Sequence, residues 1–381
     1  MASEVWTIKR CLDWTRDYLK DRGDERPRLS AEWLLSSVTG LTRTQLYMGF
    51  DKPLAPGELS QMHAAVVRRA KGEPLQYICG ETAFRTIEVD CEPGVLIPRP
   101  ETELLVEEVL KFLDSEVLGE GASGARTRAA LPWNAEVEAA RKAEEEAAAQ
   151  KAAEEAVDER AVSGEDGSEA DAVAANGIAE AAEAPEAEDP APEEPAVARV
   201  LEVGCGTGCI SLSLAYERPG RISCIATDIE PRAVALATRN RDALALDAGA
   251  VDIREGNLVS PLDRSTEWGT FDVLVSNPPY VPSAVMEQLP REVSAFEPAL
   301  ALDGGADGLD IFRRLVRAAP SMLRPNGLLA CELYEGHLDQ AANLCRTAGF
   351  EKVRIVRDLA NRPRIILARV THAVYPDGTP R

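Results

Sequence analysis

The sequence predicts an α/β fold: a doubly wound, mostly parallel sheet ending in an antiparallel hairpin, preceded by a small helical bundle. Three observations carry this. From Ala198 onward, strand-like runs such as "ARVLEV", "ISCIATDI", "VDIREG" and "FDVLVS" alternate with helical patterns, the β-α-β-α order of a parallel sheet. The last two such runs, "KVRIVRD" and "RIILARV", are joined too closely for a crossover, so they pair antiparallel. Upstream of about residue 75, apolar residues recur at helical spacing.

Residues 1–74 read as the helical unit. In "TIKRCLDWTRDYLK", Ile8, Cys11, Leu12, Thr15 and Leu19 form one stripe between charges. "SAEWLLSSV" offers Ser30 as an N-cap, and Thr42 with Gln45 offers a capping box. "APGELSQMHAAVVRRAKG" has Pro56 in its first turn and stops near Gly72. Residues 75–113 form a link: "TIEVD" and "GVLIP" read as strands around a Pro-Gly turn, followed by a helix that opens at Pro100 with acidic residues. Residues 114–196 read as an Ala/Glu-rich insert too polar to bury a core, largely disordered. Residues 197–370 carry the sheet, and 371–381 are a tail. Beyond "FDVLVS" the expected order is a helix around "GLDIFRRLVRAAPSML", the strand "LLACEL", a helix from about Leu338, and the closing hairpin.

The chain of 381 residues has a formal charge of −22, which taken whole argues against a nucleic-acid partner. Most of that charge is local. Residues 134–196 hold about 20 acidic against about 4 basic residues, which leaves the remainder only mildly acidic. The eight cysteines are scattered with no C-x-x-C pair, so neither a zinc site nor a disulfide framework is expected; they read as reduced thiols filling cores. No apolar run is long enough to cross a bilayer and no signal-peptide core opens the chain, so a cytoplasmic location is expected, with no metal.

"VLEVGCGTGCI" sets Glu202, Gly204, Gly206 and Gly208 between a strand and a helix, where glycine lets backbone turn tightly against a ligand. A dinucleotide fingerprint would place its third glycine at position 209, which is Cys209. The G-x-G-x-G spacing instead resembles the first motif of S-adenosylmethionine-dependent methyltransferases. Asp228 ends the next strand, where a carboxylate accepts from both ribose hydroxyls. Asn257 and Leu258 end the third, where such enzymes hold the adenine.

"SNPPY" follows the fourth strand. Its two prolines cannot donate to a ladder and so stop the strand. The tetrapeptide Asn277-Pro278-Pro279-Tyr280 resembles the signature of methyltransferases acting on planar amino nitrogens. An amide nitrogen is a poor nucleophile because its lone pair is delocalised. The Asn277 Oδ1 and Pro278 carbonyl oxygens each accept one of its N–H groups, and Tyr280 stacks on the flat group. Catalysis is then positioning and hydrogen bonding without a strong base.

Taken together, "EPLQYICGETAF", "VLIPRPETELLVE", "LEVGCGTGCISLSLA", "VSNPPYVP", "FEPALALDGGADGLDIFRRL" and "DLANRPR" resemble the PrmC/HemK family, the peptide chain release factor N5-glutamine methyltransferases. The resemblance implies a Rossmann-like class I methyltransferase sheet, S-adenosyl-L-methionine as cofactor, and the glutamine of a release factor's Gly-Gly-Gln motif as substrate. The helical bundle would help dock that protein. Carried over by motif, Glu202, Gly204, Cys205, Gly206, Thr207, Gly208, Asp228, Asn257, Leu258 and Asn277 bind the cofactor. Asn277, Pro278, Pro279 and Tyr280 hold the glutamine, with Asn277, Pro278 and Tyr280 in the catalytic role. "IPRPETE", Ile97 to Glu103, should lie over the site and favours release factors over the related ribosomal-protein substrates. Three departures stand out: Asn257 replaces a usual aspartate, Glu332-Leu333-Tyr334 replaces a usual "EIG", and the insert is long.

The expected partner is therefore a peptide chain release factor, with no membrane or nucleic acid, and the chain acting as a monomer. The alternatives are a ribosomal-protein glutamine methyltransferase, a DNA adenine N6-methyltransferase, and a cofactor-binding regulator without catalysis. The adenine reading needs a basic groove and a target-recognition domain, and the regulator has no use for Asn277 and Tyr280.

Overall fold

The computed structural model describes residues 5–119 and 196–371. The expectations for the acidic stretch beyond 119 and for the tail beyond 371 lie outside the described residues.

The bundle comprises α1 (Ile8–Lys20), α2 (Pro27–Thr39), α3 (Arg43–Met48), α4 (Pro56–Ala70) and α5 (Leu75–Cys79). α1 starts where the Thr7 side chain accepts from the Arg10 amide, and it buries the expected stripe of Ile8, Cys11, Leu12, Thr15 and Leu19. Helices this short are marginal alone. They are held by a shared core of Leu12, Leu19, Leu34, Leu35, Leu46, Met62 and Val66. The Thr42–Gln45 capping box opens α3. Ser30 is not a cap: α2 begins a turn earlier at Pro27, and buried Ser30 donates to Asp24 Oδ2 at 2.8 Å. The preset φ of proline nucleated the earlier start.

The linking hairpin pairs β1 (Glu81–Phe84) with β2 (Ile87–Asp90), so "ETAF" takes the place expected for "GVLIP". Phe84, Ile87 and Val89 point into the main core. "GVLIP" stays a loop because Pro98 offers no donor and its apolar residues find separate burial. Val95 packs with Ala233 and Leu236, and Ile97 with Tyr77 and Cys91. The turn is Arg85-Thr86, with Arg85 at φ 50°. That strain is offset by its guanidinium, which donates to Glu217 at 2.6 and 2.8 Å and to the Glu103 carbonyl at 3.1 Å. α6 (Pro100–Leu113) runs on through a π turn, Asp114–Leu118, where an insert was expected to begin. Leu118 is buried and Asp114 bridges Arg218 at 2.6 Å, so these residues belong to the fold.

The main sheet has seven strands in the order β5-β4-β3-β6-β7-β9-β8. They are β3 (Ala198–Val203), β4 (Ile222–Asp228), β5 (Val251–Glu255), β6 (Phe271–Ser276), β7 (Leu323–Glu332), β8 (Phe350–Arg357) and β9 (Pro363–Val370). The first five run parallel and β8 and β9 form an antiparallel hairpin, as the sequence predicts; β9 also pairs antiparallel with β7. α6, α7 (Cys209–Glu217) and α8 (Pro231–Ala243) pack into the core on one face of the sheet, and α11 (Asp310–Met322) and α12 (Leu338–Thr347) into the core on the other. Two short helices, α9 (Arg291–Ser294) and α10 (Ala299–Leu302), lie in an excursion between β6 and α11. Each face of the sheet buries its own apolar core, one around Val200, Leu212 and Val273, the other around Leu201, Leu274 and Phe312. All eight cysteines are free and seven are buried. Among the described residues, no helix is long and apolar enough to cross a membrane.

Buried Asn240, on α8, joins the hairpin to the sheet. Its Oδ1 accepts from the Asp90 amide at 2.8 Å, and its Nδ2 donates to the carbonyls of Thr207 at 2.9 Å and Asp90 at 3.3 Å. Asn240→Ala strands these buried groups and should cost about 2–4 kcal/mol in chemical denaturation; an unchanged midpoint would show that solvent replaces them.

Candidate active site

β3 and β6 are neighbours at the point where strand order reverses, so the loops leaving their carboxyl ends share one crevice. The loop after β3 turns through Gly204 (φ 75°), Gly206 (φ 56°) and Gly208 (φ 82°). The Gly204 amide donates to the Thr227 carbonyl at 2.8 Å, and the Gly206 amide donates to Asp228 Oδ2 at 2.9 Å. Asp228 Oδ1 accepts from the Glu230 amide at 2.9 Å. Each oxygen keeps a further lone pair for a ligand hydroxyl. Burial outweighs these amides and holds the carboxyl above its ordinary pKa.

A cavity of about 270 Å³ opens here. Of the residues assigned to the cofactor from sequence, Glu202, Gly204, Cys205, Gly206, Thr207, Asp228, Asn257, Leu258 and Asn277 all line it. Gly208 does not. It caps α7, and a Cβ there would lie 3.0 Å from Leu212 Cδ1 and 3.1 Å from Ala237 Cβ, so its duty is helix packing. Asn257 Oδ1 accepts from Arg314 Nη2 at 2.8 Å, a bond from a cation to a neutral acceptor where aspartate would form an ion pair.

The donor set fits a cationic methyl donor. Acidic Glu202, Asp228, Glu230 and Asp303 line the cavity against two guanidiniums, Arg99 and Arg314, and Arg99 is committed to Glu297 at 2.5 Å. No cluster of cations is left for a pyrophosphate. Glu202 is fully buried: its Oε2 accepts from the Ser211 amide at 3.0 Å and from the Ser211 hydroxyl, while Oε1 has no partner among the described residues. Burial pushes its pKa up to about 8, against the bonds from Ser211.

At the end of β6, the Ser276 hydroxyl donates to the Val203 carbonyl at 2.6 Å, tying the two strand ends together. Asn277, Pro278 and Pro279 follow on the cavity wall. Asn277 Nδ2 donates to Thr102 Oγ1 at 3.1 Å, and Thr102 Oγ1 donates to Glu332 Oε2 at 2.7 Å. The Tyr280 hydroxyl lies 3.4 Å from Glu332 Oε1. Burial lifts the Glu332 pKa to about 7, opposed by its bonds from Thr102 and Tyr280 and by Arg364. Tyr280 lines a second cavity of about 390 Å³ instead of the first; Asn277, Pro278 and Arg99 line both. Asn277 and Pro278 thus stand on the wall shared by the two cavities.

Residues 10–80 match the family model described as the PrmC N-terminal domain, and residues 191–291 match the methyltransferase small domain. A release factor glutamine methyltransferase of Geobacter sulfurreducens is 35% identical, over 96% of this chain and 98% of that protein. Its counterpart from Moorella thermoacetica is 32% identical, over 95% of this chain and 98% of that protein. The chain belongs to the release factor glutamine methyltransferase family.

Within that family's motifs, the structure assigns duties that spacing alone did not. Arg99 pairs with buried Glu297 across the loop. Glu103 accepts from the Arg85 amide through Oε1 at 3.2 Å and so braces the hairpin, away from the cavities. The "LDGGADG" run buttresses the "NPPY" backbone. A Cβ on Gly304 would lie 2.8 Å from both the Pro279 carbonyl oxygen and Tyr280 Cα, and one on Gly308 would strike the Tyr280 carbonyl. Thr102, Glu297 and Glu332 were missed as site residues. Each sits inside a recognisable motif, Thr102 in "PRPETE", Glu297 in "FEPALAL" and Glu332 where "EIG" is usual, but the partners that give it meaning lie far along the chain.

Two outcomes follow from this geometry. Below about pH 8 Glu202 is protonated in the free protein, and a bound cation favours its carboxylate. S-adenosylmethionine binding at pH 7 should therefore release up to about one proton, and affinity should climb with pH and level off above 8. Calorimetry in two buffers of different ionisation enthalpy reads this directly; equal heats would refute it. Gly304→Ala should lower methyl-transfer kcat by about 10²-fold through displacement of the Pro279–Tyr280 backbone while leaving cofactor affinity near wild type.

Proposed function

We propose that this enzyme transfers a methyl group from S-adenosyl-L-methionine to the side-chain amide nitrogen of the glutamine in the Gly-Gly-Gln motif of peptide chain release factors. The observation that carries the reading is the placement of the Asn277 carboxamide and the Pro278 carbonyl on the wall shared by both cavities. The bound cofactor supplies an electrophilic methyl on a sulfonium. The protein's part is to accept both N–H groups of the target amide at Asn277 Oδ1 and the Pro278 carbonyl, holding the nitrogen in line. Pro278 is buried and Asn277 half-buried between the cavities, which limits the water that competes for those acceptors. The Tyr280 hydroxyl is held protonated by burial, with Glu332 adding to the effect, so this ring packs without acting as a base.

The second cavity suits a narrow, glycine-rich loop: Leu96, Val285, Leu289, Val293 and Tyr334 give it apolar walls, and Arg99 and Arg364 stand among them. The N-terminal bundle, with Trp14, Trp33, Tyr47 and Met48 exposed, is read as a docking surface for the body of the release factor, and the enzyme as acting alone on it. A DNA substrate is disfavoured by the mildly acidic charge of the chain outside the insert.

The decisive measurement is transfer of labelled methyl to purified release factor, to its Gly-Gly-Ala version, to ribosomal protein and to DNA. Only the intact release factor should accept label, and labelling of DNA alone would overturn the reading. Asn277→Ala should keep cofactor binding and lose transfer by about 10²-fold or more, the scale of one catalytic hydrogen bond; wild-type turnover in that variant would remove Asn277 from the mechanism.

A further inference from the structure

A carboxamide has nearly the same shape either way round, so a site that needs its oxygen must also specify which end faces the substrate. At Asn277 the specification comes from two residues distant in sequence. Thr102 sits in the first turn of α6, inside "PRPETE", and Glu332 ends β7, the strand beside β6. Ser276 and Cys331 are paired in register, which brings the next residues, Asn277 and Glu332, out at the same edge. Thr102 and Glu332 are each only 2% exposed, so water does not stand in for either partner.

Above about pH 7, where Glu332 is ionised, the directions of the bonds follow from counting protons. A carboxylate only accepts. The single hydroxyl proton of Thr102 is therefore given to Glu332 Oε2 at 2.7 Å, and the remaining lone pairs of Oγ1 can only accept. The group they accept from is Asn277, at 3.1 Å, and it must be the amino end. Oδ1 is then left for the target. The reverse orientation would set the carboxamide oxygen against the Thr102 lone pairs and present an amino group to the amino group of the substrate.

We propose that Thr102 is a positioning residue that locks the Asn277 carboxamide with its oxygen toward the target amide, Glu332 setting the direction of the lock. This rests on Asn277 being the acceptor described above. It gives the threonine of "PRPETE" a duty one bond removed from the reacting atoms, and it gives Glu332 one two bonds removed.

The test compares Thr102→Val, which keeps the shape and loses the hydroxyl, with Thr102→Ser, which keeps the hydroxyl and loses the methyl. With labelled S-adenosylmethionine and purified release factor, Thr102→Val should lose about 10- to 100-fold in kcat. Its KM for release factor and its cofactor Kd should stay within about threefold of wild type, and Thr102→Ser should keep most of the kcat. Full kcat in Thr102→Val, or equal loss in both variants, would overturn the lock in favour of plain packing.

A second readout does not depend on which protein is methylated. In ¹⁵N spectra the Asn277 side-chain amide, identified by its disappearance in Asn277→Ala, should exchange slowly with solvent in wild type and Thr102→Ser. It should exchange at least about tenfold faster in Thr102→Val, since the bond to Oγ1 is what protects it. Exchange that ignores residue 102 would sink the lock whatever the substrate. Protection lost on schedule, with no label ever reaching a release factor, would support the lock and refute the substrate reading.

Discussion

The parallel pairing of β3 with β6 is the constraint on which the site depends. Glu202 lies opposite Val275, so the chain leaves both strands at one edge and sends its two connections to opposite faces. The gap between those connections is the crevice, and it needs no special residue to exist. What fills it does. The loop after β3 requires left-handed backbone at three glycines, and the loop after β6 requires two residues that refuse to continue a strand. The Ser276–Val203 bond then keeps the two exits from separating.

Burial of carboxylates is the main electrostatic cost around that crevice, and each acid meets it differently. Glu202 relies on Ser211 alone, Glu297 has the Arg99 guanidinium, and Glu332 has the hydroxyls of Thr102 and Tyr280. In all three, loss of water prevails and the carboxyl pKa is raised. Glu32 in the helical bundle shows the contrast. Burial there is outweighed by the Tyr47 hydroxyl and by Arg28 and Arg43, and the carboxyl stays below its ordinary range. Glu32 and Glu297 are matched by guanidiniums, whereas Glu202, on the wall of the first cavity, keeps Oε1 without a partner among the described residues, a deficit that suits a cationic cofactor.

The excursion after "NPPY" walls both cavities, and it is held from two sides. Glu292, on α9, bridges to Arg69 of the bundle at 3.1 Å, and Arg69 also binds Asp24 at 2.7 Å. Glu297 bridges to Arg99. Between them Phe296 packs against Tyr77, Cys91 and Ile97. One guanidinium therefore connects the bundle to the segment that carries Val293, Pro298, Leu300 and Ala301 to the cavity walls. The bundle is mechanically part of the site although none of its own first 74 residues lines either of these two cavities.

Alternation of strands and helices, the glycine spacing, Asp228 and the "NPPY" stop were legible in the sequence because each is a local requirement: a φ sign, a missing donor, an acid at a strand end. The hairpin partner was misread because "GVLIP" and "ETAF" carry similar local signals, and only the core decides which one pairs with "IEVD". Ser30 was misread as a cap because Pro27 competes for the same helix start. The relay from Asn277 through Thr102 to Glu332 was invisible. It joins residues 175 and 230 positions apart, and hydrogen bonds between side chains leave no periodicity behind. The sequence by itself determined the chemical groups and the strand ends that carry them. Only the tertiary structure decided which way those groups face, because orientation depends on partners supplied by other strands.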